Sequence, residues 1–292
     1  MKTVLGILGG SGLYSIDGLT NIERFEVQSD FGKPSDSLII GDINGLRVVF
    51  LSRHGKGHFY APHEINYRAN IDVLKRVGVT DIISVSACGS LKENLTPGMF
   101  VLVDQFIDQT KSRQNSFFES GLIAHVSMAR PTCNRLANVL EGIMLNQGFN
   151  FQKGGTYIAI EGPQFSTIAE SKLYRSWGCD VIGMTNMPEA RLAREAEICY
   201  QTVAIVTDFD CWNDDHGHVD VKMVDQILAD NSNKSKILIT EAAKIFSERR
   251  EICVEGCDRA LDFNLEIHPD ADPRMKHKLK SILERSLSET GR

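Results

Sequence analysis

Two aspartates follow an apolar run in the segment VAIVTDFDCW, which ends at residue 212 of this 292-residue chain. A carboxylate beside apolar side chains is costly unless another group pairs with it. On an extended segment, Asp208 and Asp210 would point to the same side. Such a pair could bind a metal ion, act as a general acid and base, or accept hydrogen bonds from a nucleobase. Because His216 and His218 lie nearby in sequence, the metal site stays open on these residues alone.

Three further segments carry groups suited to an oxyanion. GILGGSGL offers backbone N–H groups and the hydroxyl of Ser11, although Ser15 stands where a dinucleotide-binding fingerprint needs its third glycine. In SRHGKGH, Arg53 supplies a planar fork of donors and His54 adds another donor. The small residues of SACGS allow a ligand to approach the backbone. Each segment could also be ordinary turn or packing structure, so the hypothesis is a phosphate site shared among them.

The segment IEGPQFSTIAE places Phe165 and Ser166 just after a predicted strand. An aromatic ring in that position could stack on a planar heterocycle, and the hydroxyl could hydrogen-bond to its edge. Packing of Phe165 in the core would explain the same pattern. A purine or similar ring is therefore one of two interpretations of this segment.

These candidate groups follow apolar segments that predict strands. The predicted strands are VLGILGG, LRVVFLSRHG, DIISVSACGS, MFVLVDQFID, GTYIAIEGPQF, CDVIGMT and QTVAIVTDFD, and the predicted helices are NYRANIDVLKRVGV, AESKLYRSW, PEARLAREAEI and residues 219–248. Strand–helix alternation predicts a single α/β domain with a mixed, mostly parallel central sheet flanked by helices. Ligands of such sheets bind outside the carboxyl ends of the strands, so we expect one shared site there. We place this domain at residues 1–250 and a helical C-terminal extension, packed on it, at 251–292.

Composition excludes several classes of function. The net charge of −6 argues against a nucleic-acid partner, and no apolar run is long enough to predict a membrane span. The N-terminal segment predicts a first strand instead of a signal peptide. An odd number of cysteines, seven, favours reduced thiols in a cytoplasmic protein. Cys253 and Cys257 are four residues apart, but no partners at metal-ligand spacing are evident, so we expect a structural role for them.

Taken together, GILGGSGL, SRHGKGH, ACGSL, IEGPQFST, MTNMPEA and TDFDCW resemble, in order and spacing, the trimeric purine nucleoside phosphorylases. The resemblance covers about residues 3–250 and is greatest to the 5′-methylthioadenosine phosphorylase branch. It implies the nucleoside phosphorylase fold and phosphorolysis, in which phosphate attacks C1′ of a purine nucleoside and releases the base and a ribose 1-phosphate. No metal or organic cofactor is implied, because phosphate is a co-substrate. The sugar passes through an oxocarbenium-like state, as in glycoside hydrolysis.

The resemblance also implies a role for each matching position. Asp208 would share a proton with N7 of the purine and Asp210 would meet the same edge, which makes them the catalytic pair. The implied phosphate-binding residues are Ser11, Arg53, His54, Ser86, Ala87 and Thr185, and the implied substrate-binding residues are Phe165, Ser166, Met184, Val221, Val224 and His125. Of the latter, Met184 would lie against the ribose, and Val221 and Val224 would line an apolar slot for the 5′-methylthio group. His125 would reach the site of a neighbouring subunit, which implies a homotrimer.

Residues that differ between branches point to the substrate. Relatives selective for 6-oxopurines carry asparagine at the position of Asp208, so aspartate favours a 6-aminopurine. Relatives that accept ordinary nucleosides carry histidine at the position of Val221, so valine favours methylthio. Gly183 and Asn186 differ from some relatives, which suggests a broader tolerance for purines, and Ser11 replaces the usual threonine.

The expected reaction is therefore phosphorolysis of 5′-methylthioadenosine to adenine and 5-methylthioribose 1-phosphate, in purine and methionine salvage. The alternatives are a methylthioinosine or broad-specificity purine nucleoside phosphorylase, a non-catalytic nucleoside-binding module and, with less support, a divalent-metal hydrolase.

Overall fold

The computed structural model describes residues 2–10, 16–213, 221–246 and 253–290. Within them, one eleven-stranded sheet forms the centre of the molecule. Its strands are β1 (Leu5–Gly9), β2 (Thr20–Phe25), β3 (Leu38–Ile43), β4 (Leu46–Ser52), β5 (Asp81–Ser90), β6 (Phe100–Leu102), β7 (Gln105–Gln109), β9 (Phe151–Lys153), β10 (Thr156–Ile160), β11 (Val181–Gly183) and β12 (Cys199–Asp208). Strands β8 (Leu122–Ala124) and β13 (Leu265–Ile267) form a separate antiparallel pair.

Helices cover this sheet, and the prediction of a mixed α/β domain is confirmed. They are α1 (Tyr67–Arg76), α2 (Asn134–Asn146), α3 (Ile168–Ser176), α4 (Glu189–Glu195), α5 (Val221–Phe246), α6 (Pro273–Lys278) and α7 (Lys280–Thr290). Six strand pairings in the main sheet are parallel and four are antiparallel. In the part of the chain that the structure describes, no helix is both long and apolar enough to cross a membrane.

The longest strands, β5 and β12, form the core of the sheet. Both have ten residues, run parallel and are almost completely buried, as expected for strands covered on both faces. Their register is regular until Val206, where a bulge at Thr207 brings Asp208 opposite Gly89. A bulge re-aims the side chain that follows it. The carboxyl end of β12 therefore presents Asp208 directly to the backbone of β5.

Strand β11 runs antiparallel to β5 but parallel to β10. The strand direction therefore reverses in the middle of the sheet. The register pairs Ile182 with Gly89 and, continued past the end of β11, brings Thr185 beside Ser86. This differs from the prediction that all candidate groups lie at the carboxyl ends of parallel strands, because two of the motifs approach β5 from the opposite direction.

The local signals for helices hold where capping groups define the ends. Asn66 accepts a hydrogen bond from the N–H of Ala69 at the start of α1, and Ile71 and Leu74 are buried as their spacing predicts. Helix α3 begins with a capping box between Thr167 and Glu170.

Other elements were missed or divided. The predicted strand MFVLVDQFID is in fact β6 and β7, which pair with different parts of the sheet. Strand β2 is exposed along its length and so has no apolar signal. Helix α2 was also missed, although it has an apolar signal: its buried Leu136, Leu140 and Ile143 recur at helical spacing.

The C-terminal residues pack on the same body. Helix α7 buries Ile282 and Leu283 in the core cluster that includes α1, and the hydroxyl of Ser281 donates to the carboxylate of Asp72 at 2.6 Å. The described C-terminal residues are helical in part, and the division of the chain at residue 250 stays a prediction.

Cys253 and Cys257 also enter the core, where their thiols meet those of Cys133 and Cys199. The expectation that this pair lacks partners for a metal is therefore wrong. Sequence spacing could not show it, because the two other thiols lie far away in the chain.

Candidate active site

Asp208 and Asp210 lie at the end of β12, in a bent conformation. Asp210 has a left-handed backbone, with φ of 51°, so the segment is not extended as the sequence argument assumed. The bend lets the N–H of Asp210 donate to Oδ1 of Asp208 at 2.8 Å, while the Thr207 hydroxyl donates to Oδ2 at 2.7 Å. Both side chains still border Gly89: a Cβ there would lie 2.7 Å from Oδ1 of Asp208 and 3.4 Å from Cβ of Asp210.

Burial determines the electrostatics of this pair. Asp208 is only 6% exposed, and burial raises its pKa above the ordinary value, against the lowering effect of its two hydrogen bonds. Burial also raises the pKa of Asp210, and the neighbouring charge of Asp208 acts in the same direction. A carboxyl group with a raised pKa keeps its proton to a higher pH than an ordinary aspartate does. Among the described residues the pair belongs to no cluster of three or more potential metal ligands, and His216 and His218 lie outside those residues.

Two hydroxyls predicted to bind phosphate meet across the strand reversal. Oγ of Ser86 lies 2.8 Å from Oγ1 of Thr185, and Ser86 also donates to the carbonyl of Ala87 at 3.2 Å. The buried hydroxyl of Tyr157 lies against both of these side chains, and its pKa is raised to about 12 by burial. It therefore stays protonated at neutral pH.

Arg53 begins the loop after β4 and is 2% exposed. Its Nε donates to Oε2 of Glu189 at 2.6 Å and its Nη2 donates to Oε1 at 3.0 Å, in a bidentate ion pair. Further bonds run from Nη1 to the carbonyl of Val85 and from Nη2 to the hydroxyl of Ser84. The guanidinium is thus fixed under β5, and most of its donors already bind protein groups.

His54 differs from the expectation that it is a second donor. Its Nδ1 lies 2.9 Å from the carbonyl of Tyr60, and because a carbonyl only accepts, Nδ1 must carry the proton. Burial lowers the pKa of His54 to about 4, and the stacked ring of His58 acts in the same direction. At neutral pH the ring is uncharged, so Nε2 is an acceptor. It would accept a hydrogen bond from a protonated phosphate oxygen instead of donating one to the anion.

The predicted base-binding residues lie on the loop between β10 and α3. Phe165 is 43% exposed, so its ring is not core packing. The buried hydroxyl of Ser166 has no hydrogen bond of ordinary geometry, but it lies near enough to the Asp210 carboxyl to lower its pKa. Cys211 ties the loops together, since its thiol donates to the carbonyl of Ser166 at 3.2 Å. This loop therefore lies beside the aspartate pair.

Met184 connects the base loop to the strand reversal. A Cβ on Gly162, which has φ of +68°, would lie 2.6 Å from Sδ of Met184. Only glycine fits at such a close approach with that backbone conformation. Most of the residues predicted to meet ribose, base and phosphate thus form one region.

Four predicted residues are not joined to this region by the described contacts. Ser11 lies outside the described residues, and so does the side chain of Val221, although its backbone begins α5. Val224 is half-buried in the first turn of that helix. His125 follows β8 with an exposed side chain, and no described hydrogen bond or ring contact joins it to the other candidates.

Sequence reasoning missed the residues that hold the site from behind. Glu189 accepts from Arg53, from the hydroxyl of Ser84 at 2.6 Å and from that of Tyr200 at 2.8 Å. Its one signal in sequence is an acidic residue within MTNMPEA at the start of an otherwise buried helix. Arg113 donates to the carbonyls of Met187 and Glu161, both at 2.7 Å, and so clamps the two loops together. No motif marked it.

The interpretation of Gly183 and Asn186 as marks of purine tolerance loses its support. A Cβ on Gly183 would lie 1.9 Å from the hydroxyl of Tyr157, so glycine is needed for packing. Asn186 is completely buried, and its side chain donates to Ser84 at 3.0 Å and to Tyr200 at 2.8 Å. Both residues serve the framework beneath the site.

Comparisons with known proteins identify the family of this chain. The model of the phosphorylase superfamily matches residues 4–244. Two proteins named S-methyl-5′-thioadenosine phosphorylase, from Rhodospirillum rubrum and Bradyrhizobium diazoefficiens, are 53% and 54% identical over 98% of this chain and over 98% and 99% of their own length.

Solved structures are similar along the whole fold. A methylthioadenosine phosphorylase from an antarctic soil metagenomic library has a TM-score of 0.90 and 43% identity, covering 97% of this chain and 99% of that one. A variant of the adenosine/methylthioadenosine phosphorylase from Schistosoma mansoni, in complex with methylthioadenosine, has a TM-score of 0.82 and 36% identity over 90% of this chain and 98% of that one. By this family model and these relatives, the chain belongs to the phosphorylase superfamily, in the branch of the S-methyl-5′-thioadenosine phosphorylases.

Proposed function

We propose that this enzyme converts S-methyl-5′-thioadenosine and phosphate to adenine and 5-methylthioribose 1-phosphate, a step of purine and methionine salvage. The observation that carries the proposal is the Asp208 carboxyl, which is buried, oriented by two hydrogen bonds and raised in pKa at the end of β12. The relatives at about 50% identity bear the name of this activity.

Asp208 acts on the leaving base. As the bond from C1′ to N9 breaks, its electron pair moves into the purine, and a proton or hydrogen bond at N7 stabilises the developing charge. A carboxyl group whose pKa is raised by burial can supply that proton. Its other oxygen accepts a hydrogen bond from a 6-amino group. A 6-oxo group is itself an acceptor and would be repelled by that oxygen. Asp210 and the hydroxyl of Ser166 complete the edge, and Phe165 stacks on the ring.

Phosphate occupies the region of the strand reversal. The hydroxyls of Ser86 and Thr185 donate to its oxygens, with Ser11 and the backbone at Ala87 contributing further donors. Arg53, held by Glu189, supplies positive potential from beneath the sheet more than a full set of direct bonds. The neutral His54 accepts from a phosphate hydroxyl and thereby selects the protonated, orientated anion.

The remaining substrate groups follow from the same placement. Met184 lies against the ribose, and Val221 with Val224 on α5 forms the apolar slot for the methylthio group. A sulfur with a methyl group gains from an apolar wall, whereas a 5′-hydroxyl would lose its hydrogen bonds there.

We extend the proposal to the assembly and its surroundings. The enzyme is a homotrimer in the cytoplasm, its reaction needs no cofactor, and His125 completes a neighbouring site. The exposed side chain of His125 supports the contact with a neighbouring subunit. The cysteines, which form no disulfide among the described residues, support a reducing compartment. Sedimentation velocity tests the trimer, and His125→Ala should raise KM for the nucleoside with little change in kcat.

The test of function compares kcat/KM for S-methyl-5′-thioadenosine, methylthioinosine, adenosine and inosine, with and without phosphate. We expect S-methyl-5′-thioadenosine to be preferred and base release to require phosphate. A preference for the inosine forms would overturn the role given to Asp208. Release of adenine at the same rate without phosphate would overturn phosphorolysis, and tight purine binding without turnover would indicate a binding module.

A further inference from the structure

Four cysteines from three distant parts of the chain meet at the end of β12 opposite to Asp208. Cys199 is the first residue of that strand, Cys133 precedes α2, and Cys253 and Cys257 belong to the C-terminal segment. All four are buried, and their Sγ atoms lie within 4.8 Å of one another. The Sγ atoms of Cys133 and Cys253 are 3.7 Å apart.

This spacing fits a tetrahedron around a metal ion. A zinc–sulfur distance of about 2.3 Å places the sulfur atoms of a tetrahedral site about 3.8 Å apart. A disulfide needs about 2.0 Å, so either pairing would require the thiols to move together. We propose that Cys133, Cys199, Cys253 and Cys257 bind one Zn²⁺ as a structural four-thiolate site.

The backbone holds the ligands in place before metal binds. The N–H of Cys133 donates to the carbonyl of Tyr200, the neighbour of Cys199, at 2.9 Å. Between the C-terminal pair, Gly256 has φ of 67° and its N–H donates to the carbonyl of Cys253 at 2.9 Å. The resulting turn returns Cys257 toward Cys253. A sulfur-only ligand set without carboxylate or imidazole is typical of structural zinc.

Nearby cations offset the charge of the site. Binding converts four thiols and one Zn²⁺ into a complex of charge −2 and releases four protons. Arg135, which is ion-paired with Asp81, lies near the Cys199 thiol. Arg194 lies near Cys257. A buried anionic complex needs such partners, and both arginines are themselves mostly buried.

The site joins the C-terminal segment to the body and is remote from catalysis. Its ligands connect α2, β12 and the segment that continues into β13, α6 and α7. The ten residues of β12 separate Cys199 from Asp208 by about 30 Å, at roughly 3.3 Å per residue. Zinc therefore stabilises the packing of residues 253–290 without entering the reaction.

The test is the metal content of the full chain, purified under reducing conditions with zinc in the medium. We expect about one zinc ion per chain by inductively coupled plasma mass spectrometry. Replacing zinc by Co²⁺ should give the sulfur-to-cobalt charge-transfer bands of a tetrahedral thiolate site. In Cys253→Ser, retained zinc should fall by more than roughly tenfold. Cys179→Ser is the matched control, because that thiol is also buried but lies outside the cluster, and it should retain zinc.

Other results would overturn the inference. Zinc-free protein in which all seven thiols react after denaturation would show that the cluster is only packing. Zinc-free protein in which the four cluster cysteines give no reactive thiol after denaturation would show that they form disulfides instead. If Cys253→Ser does not fold, the zinc content and cobalt spectrum of the unchanged chain decide the question. Neither outcome bears on the phosphorylase activity, which is measured separately.

Discussion

Replacing Asp208 by asparagine tests the proposed proton donor without disturbing its surroundings. Oδ1 of Asp208 accepts from the N–H of Asp210, and Oδ2 accepts from the hydroxyl of Thr207. Asparagine retains the first contact. Its amide group takes the second position and donates to Thr207, whose hydroxyl then donates to the carbonyl of Cys88, 3.2 Å away. No polar group of this set loses its partner.

The fold should lose nothing by this change. Because burial raises the pKa of Asp208 above its value in the unfolded chain, the ionised carboxylate opposes folding. This penalty is absent below the unfolded pKa and is complete above the folded pKa. At pH 7 asparagine removes it, so we expect a Tm equal to or above that of the unchanged enzyme.

Activity should fall steeply in contrast. A positioned general acid contributes about 100-fold to 10,000-fold, so kcat/KM for S-methyl-5′-thioadenosine should drop by that factor. This corresponds to about 3–5 kcal/mol in the activation free energy. The preference should also shift toward 6-oxopurines, since an amide can donate to a carbonyl whereas a carboxylate cannot.

The assay is adenine release at saturating phosphate, with Tm measured on the same sample. Asp104→Asn serves as control, because Asp104 also accepts a backbone N–H, from Gly155 at 3.0 Å, outside the candidate site. A variant at Asp208 that retains kcat/KM within about threefold would refute the reasoning, given the size expected for a general acid. A loss of activity accompanied by a lower Tm would refute the claim that asparagine leaves the fold intact.

Three further predictions test the framework. Gly89→Ala should lower kcat/KM by about 100-fold, because its Cβ would lie 2.7 Å from Oδ1 of Asp208 and displace the carboxyl. Glu189→Gln should lower the free energy of unfolding by about 3–5 kcal/mol in urea titrations, since it leaves the guanidinium of Arg53 buried without its counter-charge. His54 should titrate near pH 4 by NMR and stay neutral from pH 5 to 8. Because the imidazole of the unfolded chain binds its proton near pH 6.5, the fold should lose stability as pH falls from about 6.5 to about 4.

Matched changes separate these effects from general damage. Gly142→Ala places a Cβ with nothing within 4 Å on helix α2, so it should retain activity and gain up to about 1 kcal/mol of stability. Glu241→Gln removes one partner of an exposed ion pair with Lys244 and should cost less than about 1 kcal/mol. For His54, a midpoint near 6.5 would contradict the burial argument.

Local patterns in the sequence were sufficient for the class of fold and the family. The apolar run that ends in Asp208 predicted a buried strand because periodicity and composition report burial directly. Six short motifs in order placed the chain among its relatives, since each motif carries the backbone and side chains that its own turn needs.

The tertiary structure decided what those motifs rest on. Arg53 and Glu189 are 136 residues apart in sequence yet form one buried ion pair, which fixes the guanidinium beneath β5. Because β11 runs antiparallel to β5, Thr185 lies beside Ser86, and this contact follows only from the tertiary fold. The left-handed turn at Asp210 was likewise invisible to a pattern of period two.

The four-cysteine cluster is the clearest case. The short spacing of Cys253 and Cys257 alone predicted packing, because a metal site needs ligands that converge in space and not in sequence. Cys133 and Cys199 reach them through the paths of α2 and β12 across the sheet. A sequence reports which side chains will be buried and which turns can form. Which buried groups meet depends on how distant strands pair, and that is settled only when the whole chain has packed.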